Sequence, residues 1–285
     1  MKWTCLRLLL WPAIVIFGSC DSTRIQTVTE EKVTVIEETE YVDRHQDGTG
    51  STPQWGGIPV RVGIIGDSIS TFSGWIPNGY VAYYPHSAGA VSDLTDVSQT
   101  WWHRLIYTLM PDAELDMNLS FSATCVAKTG SESLYDRNDF VTRCTGFDNP
   151  DIVVIHGGTN DRGISLGHPA PLGEYDYDTP ADELDRYCFR PAYICMVKKI
   201  TEAWPGVKIV CVIGDCLYQE EYVSLADSIE EIAGHYGFPV VKFESPLETF
   251  DGVHPDSYGA AYMSDRIYDV MEEENLLYYK REGTL

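Results

Sequence analysis

Basic residues are scarce in this chain. Lys and Arg together number 20 against 43 Asp and Glu, a formal net charge of −23 over 285 residues. A protein that grips phosphate backbones needs a basic face, so no nucleic acid is expected as a partner. Metal-binding spacings are missing too. The cysteines form no Cys-x-x-Cys, and none of the seven histidines sits in His-Glu-x-x-His. A zinc ribbon and a helix-borne zinc centre are therefore excluded, and neither metal nor organic cofactor is expected. No internal repeat is present, which sets aside solenoids and propellers.

What stands at the N-terminus is a targeting pattern. Lys2 and Arg7 precede an apolar run of ten residues, Leu8 to Phe17. That is too short to span a bilayer as a helix and fits the core of a signal peptide. Phe17-Gly18-Ser19-Cys20 is similar to a bacterial lipobox, with Phe17 where Leu is usual. The expectation is a signal over 1–20, lipidation at Cys20, and a place in the cell envelope held by the lipid anchor alone. An ordinary cleaved signal also puts the protein outside the cytoplasm. Residues 21–57 read as an acidic tether ending in the Gly-, Ser- and Pro-containing run DGTGSTPQWGG, a linker composition. A domain over 58–285 follows. Cys188 and Cys195 lie seven apart in one helical pattern, too far along a helix to pair. Cys125 with Cys144 is the pairing to test, and Cys211 reads as a core thiol in a strand.

From Ile58 onward, strands and helices alternate. Val60–Ile65, Leu115–Leu119, Asp151–His156, Ile209–Ile213 and Val240–Phe243 read as strands. Gln99–Leu109, Glu183–Trp204, Ser224–Tyr236 and Ser257–Glu273 carry helical patterns, the second kinked or split at Pro191. Continuous apolar strands between helices indicate a parallel sheet covered on both faces, a three-layer α/β sandwich.

Four segments fall at strand ends or in loops: Gly66-Asp67-Ser68, Asn118–Thr124, Gly157–Asp161 and Asp251–Pro255. Together they supply the parts for acyl transfer. A serine hydroxyl at the carboxyl end of a buried strand is a nucleophile candidate. His254 can take its proton. Asp251, three residues earlier, can hold the other imidazole N–H, or merely cap the helix that follows. Asn160 offers an amide to an oxyanion beside the Ser68 N–H.

These segments resemble, in order, the four blocks of the SGNH or GDSL hydrolases. The resemblance implies a flavodoxin-like fold, Ser68, His254 and Asp251 as the triad, and Ser68, Ala123 and Asn160 around the oxyanion. Ala123 stands where that family usually has glycine; its N–H survives, but its methyl crowds the position and conflicts with a positive φ. Gly163-Ile164-Ser165-Leu166-Gly167 matches a nucleophile elbow, yet Ser165 lies nine residues past a strand and before two prolines, so it is a loop serine. The loop 162–179 either shapes specificity or simply packs. Trp75, Tyr80, Tyr83, Tyr84, Trp101 and Trp102 cluster near the first block. Trp101 and Trp102 read as core, Trp75 and Tyr80 as candidate substrate contacts. The expected function is a serine esterase acting on a small acyl ester, with acetyl on polysaccharide as the favoured substrate. A lipid or thioester acyl hydrolase is the alternative. A non-catalytic glycan-binding lipoprotein is the reading from another class.

Overall fold

The computed structural model describes residues 59–85, 92–110, 112–163 and 169–281. The expected signal segment, Cys20, the expected tether and Ser165 lie outside them. Gly56–Leu285 forms one compact unit.

Five strands, β1 (Val60–Gly66), β2 (Ala113–Asn118), β3 (Ile152–His156), β4 (Lys208–Val212) and β5 (Val240–Val241), pair in the order β2-β1-β3-β4-β5. Every pairing is parallel. The apolar strands are continuous because both faces are buried, and alternate residues divide between two cores. Val62, Ile64, Ile152, Val154, Val210 and Val212 face one core. Ile65, Val153, Ile155, Ile209 and Cys211 face the other. The first is closed by α1 (Trp101–Arg104) and, from the chain's end, a long helix over Ser257–Glu273, through Trp101, Trp102, Met263 and Ile267. The second is closed by α3 (Phe140–Arg143), which follows the short, largely exposed α2 (Leu134–Arg137), and by α4 (Phe189–Ala203) and α5 (Val223–Tyr236), through residues that include Phe140, Phe189, Tyr193 and Ile229. The Ser257–Glu273 helix is α6.

Three expectations need correcting. The helix expected over Gln99–Leu109 is interrupted. Thr100 is extended and caps α1 with its side chain, and beyond Arg104 the helix widens into a π turn, Leu105–Leu109, with Met110 N–H on Leu105 O at 3.0 Å. Second, Pro191 neither kinks nor splits the helix that follows. It stands in the first turn of α4, where a missing N–H costs nothing because no carbonyl waits for it. Cys188 consequently caps α4 in an extended conformation rather than lying within it. Third, Cys125 and Cys144 are not bridged: both are buried free thiols, as is Cys211. Elsewhere the local signals act as read. Gly237 ends α5 with φ 71°, a left-handed cap that a Cβ would disfavour.

The register sets up the site. Gly66 pairs with His156, so β1 and β3 finish side by side. In the order 2-1-3-4-5, connections leave β1 and β3 in opposite directions, opening a crevice between their carboxyl ends. The loops after β1 and β3 both open there.

Candidate active site

Ser68 opens a single 3-10 turn, Ser68–Ser70, directly after β1. Asp67 caps that turn by accepting the Ile69 N–H at 3.1 Å. Gly66 lets the turn fold tightly back: a Cβ there would meet Ser70 Cβ at 2.6 Å. Asp67 is wholly buried and its second oxygen has no protein partner. Its role is to shape the loop, with its charge held close behind Ser68.

The loop before α6 brings the base from the other end of the chain. Thr249 and Pro255 form an antiparallel bridge, and Phe250 N–H donates to His254 O at 3.2 Å. Within this hairpin Asp251 Oδ1 accepts the Val253 and His254 N–H groups at 3.0 and 2.8 Å. Asp251 Oδ2 lies 2.7 Å from His254 Nδ1, and His254 Nε2 lies 2.9 Å from Ser68 Oγ. An ionised carboxylate only accepts, so Nδ1 carries the proton and Nε2 presents its lone pair to the serine. Burial pushes the Asp251 carboxyl up. The hydrogen bonds and charge of His254, with the Val253 N–H, outweigh that and hold it below its usual range. The capping duty falls instead to Asp256, which accepts the Gly259 N–H at 2.9 Å. An imidazole held in this way can take the Ser68 proton and return it to a leaving group.

The loop after β2 is locked beside Ser68. Phe121 N–H donates to Gly66 O at 3.1 Å, and the Asn118 amide to Ser70 O at 2.9 Å. Ser122 N–H donates to Val81 O at 2.9 Å. Ala123 then adopts φ 61°, the left-handed region that a methyl group disfavours by roughly 1–2 kcal/mol. The expected conflict is therefore real, and the surrounding hydrogen bonds hold the residue in it. Asn160 follows the Gly157-Gly158 turn, and its Nδ2 donates to Thr124 O at 3.0 Å. That bond seats Asn160 next to Ala123, and a primary amide has a second N–H to offer.

Trp75 and Tyr80 part company. Trp75 rests on α1, 5.8 Å from Trp102 and 5.4 Å from His103 between ring centroids. Tyr80 lies 4.9 Å from Phe121, in the loop that carries Ala123. Trp101 and Trp102 are buried in the core. The described part of the 162–179 loop packs on α4 and α5. Tyr177 stacks on His235 at 3.6 Å, near the C-terminal end of α5, which lies toward the amino edge of the sheet. Asp176 accepts the Thr179 N–H and Asp182 pairs with Lys199.

Two residues at the site, Arg143 and Tyr83, escape sequence reasoning, and a third, Asp161 of the Gly157–Asp161 block, holds its loop as its place there suggests. Arg143 is wholly buried and donates to Gly66 O and Leu119 O, both at 2.6 Å. It ties the first loop to the second, and burial pulls its guanidinium down to about 10. Asp161 accepts the Val126 and Ala127 N–H groups at 2.8 Å each; burial pushes its carboxyl up to about 7. Arg143 carried no signal beyond its residue type. Tyr83 did, as one of the six clustered aromatics. Its ring stacks on the His254 imidazole, centroids 3.7 Å apart and 8° from parallel, and its hydroxyl donates to Asp251 Oδ2 at 3.0 Å. Burial and the Asp251 carboxylate push its phenol well above the usual value, so it remains a donor.

Comparison with known proteins gives the family. The family model for GDSL-like lipase/acylhydrolase matches residues 60–271. The crystal structure of a protein from Bacteroides uniformis ATCC 8492, assigned as a GDSL-like lipase, is 30% identical. It covers 75% of this chain and 96% of its own, with a TM-score of 0.65. One from Bacteroides ovatus ATCC 8483, assigned likewise, is 29% identical over 75% of this chain and 99% of its own, at a TM-score of 0.64. A Lactobacillus plantarum protein, 18% identical over 75% of this chain and 97% of its own, shares the fold at a TM-score of 0.53. No curated protein matches the chain.

Proposed function

Since the chain belongs to the GDSL-like lipase/acylhydrolase family and is an ester-bond hydrolase, we propose that it is a serine esterase working through an acyl-Ser68 intermediate. The observation that carries this reading is the unbroken hydrogen-bonded chain Ser68–His254–Asp251. His254 Nε2 takes the hydroxyl proton as Ser68 Oγ attacks the acyl carbon. The oxyanion is held by the N–H groups of Ser68 and Ala123 and by the Asn160 amide. Removing one such donor typically costs ~10²–10³ in turnover. His254 then returns the proton to the departing alkoxide, leaving acyl-Ser68 and free alcohol. Water enters, gives its proton to His254 and attacks the ester; the acid leaves and the proton goes back to Ser68. Asp251 stays ionised throughout and balances the imidazolium.

The substrate we assign is a small acyl ester, with acetyl on a surface polysaccharide favoured. A methyl at Ala123, where the family pattern expects glycine, supports a short acyl group. Aromatic side chains beside the site, Tyr80 against Phe121 and the exposed Tyr135 edge-on to Phe121, support a sugar ring on the alcohol side. The signal-like N-terminus and Cys20 support an exported, lipid-anchored protein that would meet such polymers. The test is a p-nitrophenyl ester series from acetate to octanoate, with acetate release from acetylated xylan. Rates highest on acetate are expected. A maximum at octanoate would move the assignment to lipid acyl hydrolysis, and no turnover on any ester with an intact fold would sink the esterase reading.

A further inference from the structure

We propose that Tyr83 is a positioning residue for His254, clamping the imidazole from its face while holding the carboxylate that orients it. The inference rests on the esterase reading and adds a fourth member to the proton-transfer group. Three contacts carry it. The Tyr83 ring lies flat on the imidazole at 3.7 Å, which restricts tilting of the imidazole toward that face. Its hydroxyl reaches Asp251 Oδ2, the same oxygen that holds His254 Nδ1. Its backbone N–H donates to Thr71 Oγ1 at 2.8 Å, and that hydroxyl donates in turn to Ser68 O at 2.9 Å. Tyr83 is therefore fastened to the serine's own turn and to the histidine and aspartate together. The nucleophile and its base come from loops 186 positions apart in the chain, and the stretch Tyr80–Tyr84 bridges them.

The clamp has two separable effects on the imidazole. A hydroxyl bonded to Asp251 Oδ2 draws negative charge from the oxygen that stabilises the imidazolium. A stacked phenol ring favours the cation directly. Tyr83→Phe removes only the first, and Tyr83→Leu removes both. The other titratable groups facing His254 are Asp251 from its own loop, Tyr84 from the bridging stretch and Ser68 from the turn after β1. Asp67 and Asp256 are the next carboxylates, acting on Tyr84. All are unchanged in both variants.

The experiment measures the His254 ring-proton titration by NMR, identified by its loss in His254→Gln, alongside kcat and KM on p-nitrophenyl acetate. Tyr83→Phe should move the titration up by about half a pH unit, and Tyr83→Leu should titrate about half a unit below Tyr83→Phe. kcat should fall about threefold in the first and about tenfold or more in the second, with KM within about twofold, because misplaced groups slow chemistry rather than binding. Unmoved titrations in both variants of an active protein overturn the role of Tyr83 and leave the esterase reading standing. Shifted titrations with unchanged kcat overturn it as well. A wild type inert on every ester, with the Tyr83→Phe shift still present, sinks the esterase reading and removes the reaction Tyr83 would serve. Tyr83→Phe keeps the shape of the side chain, so it remains decisive should Tyr83→Leu not fold.

Discussion

Two aspartates bracket β3, both wholly buried, and they are treated in opposite ways. Asp151, at the amino edge of the sheet, accepts the Arg61 and Arg281 N–H groups and the Lys280 ammonium, each at 2.9 Å. Burial pushes its carboxyl up, but those partners hold it below its usual range. Asp161, at the carboxyl edge, also accepts two backbone N–H groups. It has no cation among its hydrogen-bond partners, and the Asp67 charge adds to burial in raising it to about 7. The difference is a cation. At the amino edge, charge closes the sheet and ties down the C-terminal segment. At the carboxyl edge, Ala123 sits at φ 61° and one Asp67 oxygen lacks a protein partner. Stability is concentrated at one edge, and tolerated strain and chemistry at the other.

Substitutions can break this division. The largest effect is expected from Ser68→Ala: at least about 10³-fold less turnover of p-nitrophenyl acetate, with a melting temperature close to wild type. A large loss of stability instead would mean the carboxyl edge also carries the fold. Asp151→Ala should do the reverse. Removing it strands buried donors and a cation, so urea unfolding should report a loss of about 2–4 kcal/mol while kcat of the folded fraction holds. If activity collapsed and stability did not, the assignment of the edges would be inverted.

Acidity sharpens the contrast, because the two aspartates contribute with opposite sign. Asp151 has a depressed folded value, so its stabilisation is present above about pH 4 and lost as pH falls through that value. Asp161 has a folded value of about 7, so its contribution is full below about pH 4 and declines as pH rises to about 7. In melts across that range, the deficit of Asp151→Ala should shrink on the acid side, and that of Asp161→Asn should shrink toward pH 7. Parallel curves would show that the cation does not separate the two. The smallest effect is expected from Ala123→Gly. Relieving the left-handed methyl should raise stability by about 0.5–1 kcal/mol after the added chain entropy of glycine, about 1–3 °C in Tm, with activity within about threefold. No gain would mean the loop is relaxed as it stands.

Much of the framework was legible along the chain. β3 and the core of β4 are short, continuous apolar runs between turn signals, as two buried faces require, and β1 is one but for Arg61. The span of α6 follows from the periodicity up to Glu273, while its cap, Asp256, is visible only in the structure. Ser68, Asn160, Asp251 and His254 were found because each stands at a strand end or in a short polar loop with a recognisable neighbour. The misses have one cause. In sequence Pro191 reads as a breaker, because its position within the first turn of α4 depends on where the chain returns to the sheet. Cys125 and Cys144 looked like partners because linear spacing does not show where buried thiols point. Tyr83 looked like one aromatic among six, since the stretch between β1 and α1 has no regular structure to set its register.

The sequence by itself determined the alternation of buried strands and helices, the candidate acyl-transfer groups and the anomaly of an alanine in place of glycine. Those are local: period, residue chemistry and short spacing are written in neighbouring positions. Only the tertiary structure decided that β1 and β3 end in step, that Arg143 and Asp161 fasten the loop after β2, and that Tyr83 lies flat on His254. These contacts join segments far apart in the chain. The packing of two cores on a twisted parallel sheet selects them, and no stretch of neighbouring residues encodes that selection.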